Sequence, residues 1–119
     1  MADEISIQAS MNLSNGLLTF NQTFSSRFDQ TAAGGPTPGM VTIGTVEESQ
    51  SLAELSTLGW CMMKNLDDTN FIEWGFSTGV YGGRLEAGEI ALFRLNPSTT
   101  MYLKADTAAC KMTIYALED

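Results

Sequence analysis

Apolar and polar residues alternate along the first part of the chain. Every second residue from Ile5 to Leu13 is apolar and the residues between them are polar. This period of two is typical of a strand with one buried and one solvated face. Asn15-Gly16 follows, a strong signal for a two-residue hairpin turn. We therefore predict a long β-hairpin over residues 4–28. The apolar residues of its second half share one parity and are Leu18, Phe20, Phe24 and Phe28.

Glycine and proline are concentrated in residues 30–39 (QTAAGGPTPG). Proline lacks a backbone donor and glycine weakens regular structure, so this composition predicts an exposed loop and argues against a helix or a central strand. Two interpretations of the loop stay open: a mobile connection, and a segment that contacts a partner. The second assigns partner contacts to Gly34, Gly35, Pro36 and Pro38. A strand is predicted to resume from Met40 to Val46.

The rest of the chain is predicted to form short strands separated by turns. Residues 48–58 favour a short strand and a turn, with one helical turn as the alternative because three leucines there have helical spacing. Eight or nine strands at this spacing, with no long helix, predict an all-β fold: a two-sheet antiparallel, jelly-roll-like β-sandwich. We predict a single domain over residues 1–119. The later strands are predicted at 60–64, 71–76, 90–95, 99–104 and 110–117.

The charge balance of the chain excludes several classes of function. Its 119 residues contain 14 Asp+Glu, 6 Lys+Arg and no His, a formal net charge of -8. An acidic chain repels phosphate backbones, so we expect no nucleic-acid partner.

No apolar run approaches the ~20 residues of a membrane helix, so no membrane contact is expected. The first residues lack the features of a secretory signal, which predicts folding in a reducing cytosol. The absence of histidine removes the commonest general base, proton shuttle and metal ligand. No catalytic set of residues is recognised in the sequence, so we expect no enzyme activity and no cofactor.

Three sets of polar or thiol side chains are candidates for a disulfide, a metal site or a catalytic pair. Cys61 and Cys110 lie in apolar segments and are predicted to be free, buried thiols, with a disulfide as the alternative. Residues 67–70 (DDTN) are rich in oxygen ligands but lack the spacing of a calcium loop, so we predict a hydrogen-bonded turn and no metal site. Glu86 and Glu89 are predicted to be solvated turn residues, not a catalytic pair.

Aromatic and methionine residues raise two further possibilities. Four aromatic residues could form a sugar-stacking platform, although aromatic residues in strands are more often part of the core. Tyr81 lies in a glycine-rich loop, so we expect it to be the most exposed of the four and add it to the candidate partner contacts. Met62 and Met63 are adjacent and must point to opposite sheet faces, which indicates a covered or subunit-contacting strand. The four aromatic residues are Trp60, Trp74, Tyr81 and Tyr102.

Several stretches of the sequence resemble one family. They are residues 64–75 (KNLDDTNFIEWG), 84–95 (RLEAGEIALFRL) and 104–112 (KADTAACKM), together with the opening residues 2–7 (ADEISI). In this order they resemble small β-sandwich virion proteins of tailed bacteriophages and prophages, most closely head decoration (cement) proteins. The likeness covers the C-terminal half and the first strand, and it does not extend to residues 30–58.

The resemblance implies a non-enzymatic capsid decoration protein. Such a protein binds and stabilises the assembled head, so the implied partners are the major capsid protein and further copies of this chain in a homotrimer. The implied location is the virion, assembled in the host cytoplasm. An alternative function is a carbohydrate- or receptor-binding module of a phage tail or fibre, which would use Trp74 and Tyr81. An enzyme subunit or a small ligand-binding barrel is a further alternative, but the many large apolar residues indicate a filled interior.

Overall fold

The computed structural model of the protein describes residues 3–119. These residues form ten β-strands and no helix, so none of their segments is a helix able to span a membrane. The all-β prediction is confirmed, although ten strands replace the eight or nine expected. The chain divides into two compact units, one ending at Thr31 and one running from Ala32 to Asp119. The prediction of a single domain over 1–119 stays a prediction.

The first unit is a two-stranded antiparallel hairpin of β1 (Ile5–Asn15) and β2 (Leu18–Phe28). The strands pair without a break from Ile5 opposite Phe28 to Asn15 opposite Leu18. The hairpin prediction is therefore confirmed, but the turn residues are Gly16 and Leu17, one position later than expected. Gly16 adopts a φ of 59°, the left-handed conformation that a type II′ turn requires at its first position.

The second unit is a β-sandwich of two four-stranded antiparallel sheets. One sheet has the order β3-β10-β5-β8 and the other β4-β9-β6-β7. In both sheets the order interleaves early and late strands, with β10 between β3 and β5 and β9 between β4 and β6. This is the strand order of an eight-stranded jelly roll, as the sequence predicted. The strands are β3 (Thr37–Ile43), β4 (Glu48–Gln50), β5 (Leu58–Asn65), β6 (Ile72–Gly75), β7 (Gly83–Leu85), β8 (Ile90–Arg94), β9 (Met101–Ala105) and β10 (Cys110–Glu118).

The core of the sandwich lies between its two sheets, and strand alternation determines which side chains reach it. In β10 every second side chain is fully buried, whereas Lys111 and Tyr115 between them are exposed. Met63 in β5 and Leu103 in β9 are likewise fully buried. The fully buried core side chains are Ile43, Cys61, Met63, Ile72, Leu95, Met101, Leu103, Cys110, Met112 and Ile114.

The segment predicted as an exposed loop belongs partly to the first sheet. β3 begins at Thr37 and ends at Ile43, so the strand is shifted from the predicted residues 40–46. Pro38 is accommodated because β3 is an edge strand, where a missing backbone donor leaves the sheet intact. Before the strand, the Glu118 N–H donates to the carbonyl of Gly34 at 3.1 Å. The end of the loop is therefore fixed to the sandwich by backbone hydrogen bonds.

The ambiguous residues 48–58 form a strand and a turn, as preferred from the sequence. β4 covers Glu48–Gln50, and β5 begins at Leu58. The Leu55 N–H donates to the Leu52 carbonyl at 3.0 Å, which closes a turn between the two strands. Leu55 and Leu58 are buried, so the leucines with helical spacing are turn and strand residues that face the core.

Candidate functional site: two exposed apolar surfaces

One face of the hairpin is apolar and lies in solvent. Residues directly opposite each other in an antiparallel pair share a face, so the register places Phe24 beside Ala9 and Phe20 beside Leu13 on the same side. We call this side the hairpin face. The opposite side consists of Ser, Thr, Asn and Gln residues and Arg27. The apolar residues of the hairpin face are Ile5, Ile7, Ala9, Met11, Leu13, Leu18, Phe20, Phe24 and Phe28.

The hairpin face is buried at its base and exposed from the middle of the hairpin to the turn. Ile5 is buried, whereas Met11 is 70% exposed and Phe24 is 72% exposed. Leu18 and Phe20, close to the turn, are also exposed. Large apolar side chains on one side of a strand pair are typical of a sheet whose apolar face packs against another protein surface. The alternation in the sequence predicted this face but assigned it to the interior of the protein.

A second apolar surface covers the outer side of the sheet β3-β10-β5-β8. Two cross-strand rows build it, the first running Pro38, Tyr115, Met62, Leu92 and the second Met40, Thr113, Lys64, Ile90. We call it the sheet face. Met40 is 64% exposed, Met62 51% and Ile90 70%.

The prediction that Met62 and Met63 point to opposite faces of the sheet is confirmed, and the cover or subunit contact expected of this strand stays a prediction. Met63 is completely buried between the sheets, and Met62 is half exposed on the sheet face. Trp60 and Tyr115 lie on the same outer side, so β5 is a two-sided apolar strand as its sequence indicated.

The sheet face also concentrates positive charge in an acidic protein. Lys64, Lys111 and Arg94 point to this side, which is half of the 6 Lys+Arg in the chain. Glu118, the one acidic residue in these four strands, points inward and is nearly buried. Arg94 pairs with Asp119 at 2.8 Å, whereas neither lysine forms a salt bridge with another residue of the range 3–119.

The outer side of the other sheet has a different character. Tyr102 and Lys104 of β9 lie there, with Glu73 opposite Lys104 and Arg84 opposite Glu73. Arg84 Nη2 lies 3.8 Å from Glu73 Oε2, and the Arg84 guanidinium stacks 3.8 Å above the ring of Phe71. Charges of both signs alternate on this side, as on an ordinary solvated surface. The two outer sides of the sandwich are therefore not equivalent.

Tyr81 is held by a hydrogen bond rather than presented to solvent. Its hydroxyl donates to Oε1 of Glu47, which also accepts the Gly79 N–H at 2.7 Å. The Tyr81 hydrogen bond is the main cause that lowers the pKa of Glu47, and the same bond raises the pKa of Tyr81 to about 12. All four aromatic residues considered from the sequence are partly buried, so Tyr81 does not stand out as exposed.

Trp74 contributes to a shallow cleft of about 480 Å³ with Phe76, Val80 and the glycines around them. Its ring stacks on Phe93, with centroids 4.8 Å apart, so one aromatic face is already used. The indole N–H is buried without a hydrogen-bond partner among residues 3–119. Tyr81 does not line this cleft. The structure therefore does not bring Trp74 and Tyr81 into one sugar-stacking platform.

Residues 67–70 form the predicted hydrogen-bonded turn. Asp67 Oδ2 accepts the backbone N–H groups of Thr69 at 3.0 Å and Asn70 at 2.6 Å. The Asn70 bond is the largest cause that lowers the pKa of Asp67. Glu86 and Glu89 likewise form a turn, in which the Glu86 N–H donates to Glu89 Oε1 at 2.8 Å.

The side chain of Asn65 connects the turn at residues 67–70 to the turn at residues 86–89. The sequence did not predict this role. The Asn65 side chain is completely buried at the end of β5. Nδ2 donates to the carbonyls of Asn70 at 2.9 Å and Leu85 at 3.0 Å, and Oδ1 accepts the Asp67 N–H at 2.9 Å. The one feature of the sequence that could have predicted this role is the position of a polar residue at the end of the apolar strand β5. A buried amide there needs several hydrogen-bond partners.

The remaining predicted site residues have structural positions. Cys61 and Cys110 are free and buried, which confirms the preferred interpretation. Gly34 and Gly35 adjoin the end of β10, where a Cβ on Gly34 would lie 2.5 Å from Glu118 Oε1. Pro36 and Pro38 are exposed. The partner contacts assigned to these loop residues and to Tyr81 stay predictions.

Within residues 3–119, no three His, Cys, Asp or Glu side chains are grouped so that they could hold a metal ion. The chain matched no protein-family model, no curated protein sequence and no solved structure.

Proposed function

We propose that the protein is a non-enzymatic structural subunit that docks on a larger assembly, namely a capsid decoration protein bound to the major capsid protein of a phage head. The observation that carries this proposal is the sheet face, where exposed methionine, isoleucine and tyrosine side chains lie among lysines. The sequence resemblance supplies the class of assembly. The jelly roll is compatible with it, since this fold occurs in viral capsid domains but also in many unrelated proteins.

The chemistry of the sheet face suits docking on a rigid protein surface. Met40 and Met62 are unbranched and polarisable, so they adapt to an irregular partner surface. Lys64 and Lys111 at the same face attract an acidic rim, which directs the approach and fixes the orientation. The opposite outer side, with its paired Glu73 and Arg84, lacks this combination.

Binding to heads that lack this protein tests the proposal. The heads come from the phage or prophage that encodes the chain, with its gene deleted. We expect the wild-type protein to bind, and cryo-electron microscopy of the decorated heads to place the sheet face against the capsid. Met62→Thr with Lys64→Glu should weaken binding at least tenfold, about 1.4 kcal/mol.

A matched control uses the other sheet. Tyr102→Thr with Lys104→Glu changes an aromatic and a lysine on the opposite outer side and should leave binding unchanged. Absence of wild-type binding, or equal losses in the two double variants, would overturn the proposal.

A further inference from the structure

We infer that the hairpin face is a self-association surface, covered by the same face of a second copy of this chain. The inference does not rest on docking to a capsid, because it concerns a different surface in a different unit. Four observations lead to it: the stability of an isolated hairpin, the exposed area, the absence of charge and the shape of the face.

The first observation is that the hairpin has only two strands. β1 and β2 form a sheet of their own, and the residues of both strands are mostly exposed. A two-stranded hairpin is marginally stable in water, and three or more strands or a packed face are needed for independent stability. The second copy supplies that packed face, since two sheets stack about 10 Å apart with their side chains interdigitated.

The second observation is the area available. At about 200 Å² per large residue, the exposed fractions of the large apolar residues on the hairpin face correspond to roughly 600 Å² per chain. Each partner contributes ~800 Å² to a standard-size interface, so this one face supplies most of that area. A twofold contact uses this one patch from both copies, so no second complementary surface is needed. The large side chains that contribute most to it are Met11, Leu13, Leu18, Phe20 and Phe24.

The third observation is that the hairpin face carries no charge. Residues 5–28 contain one charged side chain, Arg27, and it points to the polar side. Two copies of a chain with net charge -8 can therefore meet at this face without burying a charge or opposing like charges. A partner selected by charge would need charged groups on the face, and the face offers only Gln22, Ser26 and Asn15 as polar residues.

The fourth observation is the shape of the face. Phe24 lies directly opposite Ala9, and Gln22 directly opposite Met11, near the middle of the ribbon. A large ring beside a small methyl group gives a projection next to a depression. A twofold axis that runs parallel to the strands, midway between β1 and β2, places the Phe24 ring of each copy over the Ala9 position of the other. Close packing between sheets requires such a fit.

Sedimentation of the full chain at micromolar concentration tests the inference. We expect a mass of about twice the 12.9 kDa chain, retained in high salt because the contact is apolar. Met11→Thr with Phe24→Thr should weaken the association at least tenfold. The matched control, Asn12→Thr with Ser25→Thr, changes the neighbouring residues on the polar side and should leave the mass unchanged.

A second pair of variants keeps every apolar side chain in place. Gln22→Glu puts a carboxylate at the centre of the hairpin face, and Asn21→Asp puts one on the polar side. We expect Gln22→Glu to dissociate the protein at neutral pH and Asn21→Asp to leave its mass unchanged. Trp60 and Trp74 both lie in the sandwich, so their fluorescence reports whether that unit stays folded.

Several outcomes are decisive. A trimer that Phe24 substitution dissociates would show association through this face without a twofold contact, and would overturn the pairing of two copies. A wild-type monomer, or an oligomer that survives both the Met11/Phe24 and the Gln22 variants, overturns it. If the wild-type monomer binds gene-deleted heads, the inference fails while the proposed function stands. If a dimer forms through the hairpin face but does not bind heads, the inference stands and the proposed function fails.

Discussion

The hydroxyl of Tyr81 donates a hydrogen bond to the carboxylate of Glu47, which precedes it by 34 residues. The bond connects the loop before β4 to the glycine-rich loop between β6 and β7. Because Glu47 also accepts the Gly79 N–H, a single carboxylate holds two points of that second loop. Its ionisation state therefore determines how firmly the loop is attached to the sandwich.

The first prediction concerns pH. Glu47 has a lowered pKa in the folded protein, so its contribution to stability is present above the ordinary glutamate pKa of about 4.3 and is lost as the pH falls through the lower folded value. Tyr81 has a raised pKa of about 12, so its hydrogen bond is complete below the ordinary tyrosine value near 10 and is lost as the pH rises through about 12. Phenolate absorbance should show a transition near 12 that Tyr81→Phe removes.

Substitution of the carboxylate provides the control for that titration. Glu47→Gln keeps a hydrogen-bond acceptor but removes the charge, so the pKa of Tyr81 should fall toward its ordinary value. Glu48→Gln alters the neighbouring carboxylate, which binds the Gly44 N–H instead, and should leave the Tyr81 transition in place. An unchanged Tyr81 transition in Glu47→Gln would contradict the assignment.

The second prediction uses two adjacent glycines. A Cβ on Gly83 would lie 2.6 Å from Nε1 of Trp74 and 2.7 Å from its Cζ2, whereas a Cβ on Gly82 would meet nothing within 4 Å. Gly83→Ala should therefore destabilise the protein by about 1–3 kcal/mol through overpacking. Gly82→Ala should be within ~0.5 kcal/mol of the wild type. Urea denaturation followed by tryptophan fluorescence measures both, and equal stabilities would show that the indole can move aside.

The third prediction separates the two sides of β5. Met63→Ala empties a fully buried position and should cost about 2–5 kcal/mol of unfolding free energy. Met62→Ala on the sheet face should change stability by no more than ~0.5 kcal/mol, since surface substitutions are usually near neutral. Equal losses in the two variants would mean that the sheet face is covered within the isolated chain.

The fourth prediction concerns the thiols. Burial raises the pKa of Cys61 to about 12 and also raises that of Cys110, so neither forms the reactive thiolate at neutral pH. A thiol reagent should label neither cysteine in the native protein and both in denaturant. Labelling of one thiol in the native state, or of none after denaturation without reductant, would contradict the free and buried assignment.

The fifth prediction concerns Asn65. Asn65→Asp replaces the Nδ2 donor with an oxygen that faces the carbonyls of Asn70 and Leu85. The variant should lose at least about 2 kcal/mol, because each buried group left unsatisfied costs about 1–3 kcal/mol. The loss should grow as the pH rises through the carboxyl pKa, since ionisation adds a buried charge. Asn96→Asp makes the same change at an exposed turn residue and should stay within ~0.5 kcal/mol of the wild type. Comparable losses in the two variants would disprove the special role of Asn65.

The alternation of apolar and polar residues predicted the hairpin and the sandwich. Successive side chains of a strand point to opposite faces whatever the strand packs against, so the two-residue repeat identifies strands directly from the sequence. The same alternation could not say that the hairpin forms a separate unit, since it gives the face of a side chain but not what lies against that face. The shift of β3 to Thr37–Ile43 has a related cause. Proline has no backbone N–H, so Pro38 argues against a central strand, which is paired on both sides, but not against an edge strand. The edge position of β3 is known only from the strand order of the folded sheet.

The sheet face was only partly predictable. Adjacent Met62 and Met63 indicated a two-sided strand, but Met40, Ile90 and Tyr115 come from three other strands. Their meeting on one side depends on strand order and register, which loop residues and long-range packing determine together. The network around Asn65 is similar, because its acceptors come from turns that are distant in sequence.

The hairpin also has two long free margins. Each of its strands has 11 residues and pairs on one side only, and neither contains a proline or a lysine to block the addition of another strand. Natural sheets guard such margins with charge, proline or bulges, and an unguarded margin templates aggregation. The contact between two hairpin faces leaves these margins free, so dimers should join edge to edge and form fibrous material once the concentration rises well above the micromolar range. Deletion of residues 5–28 should prevent the fibres, because it removes both margins.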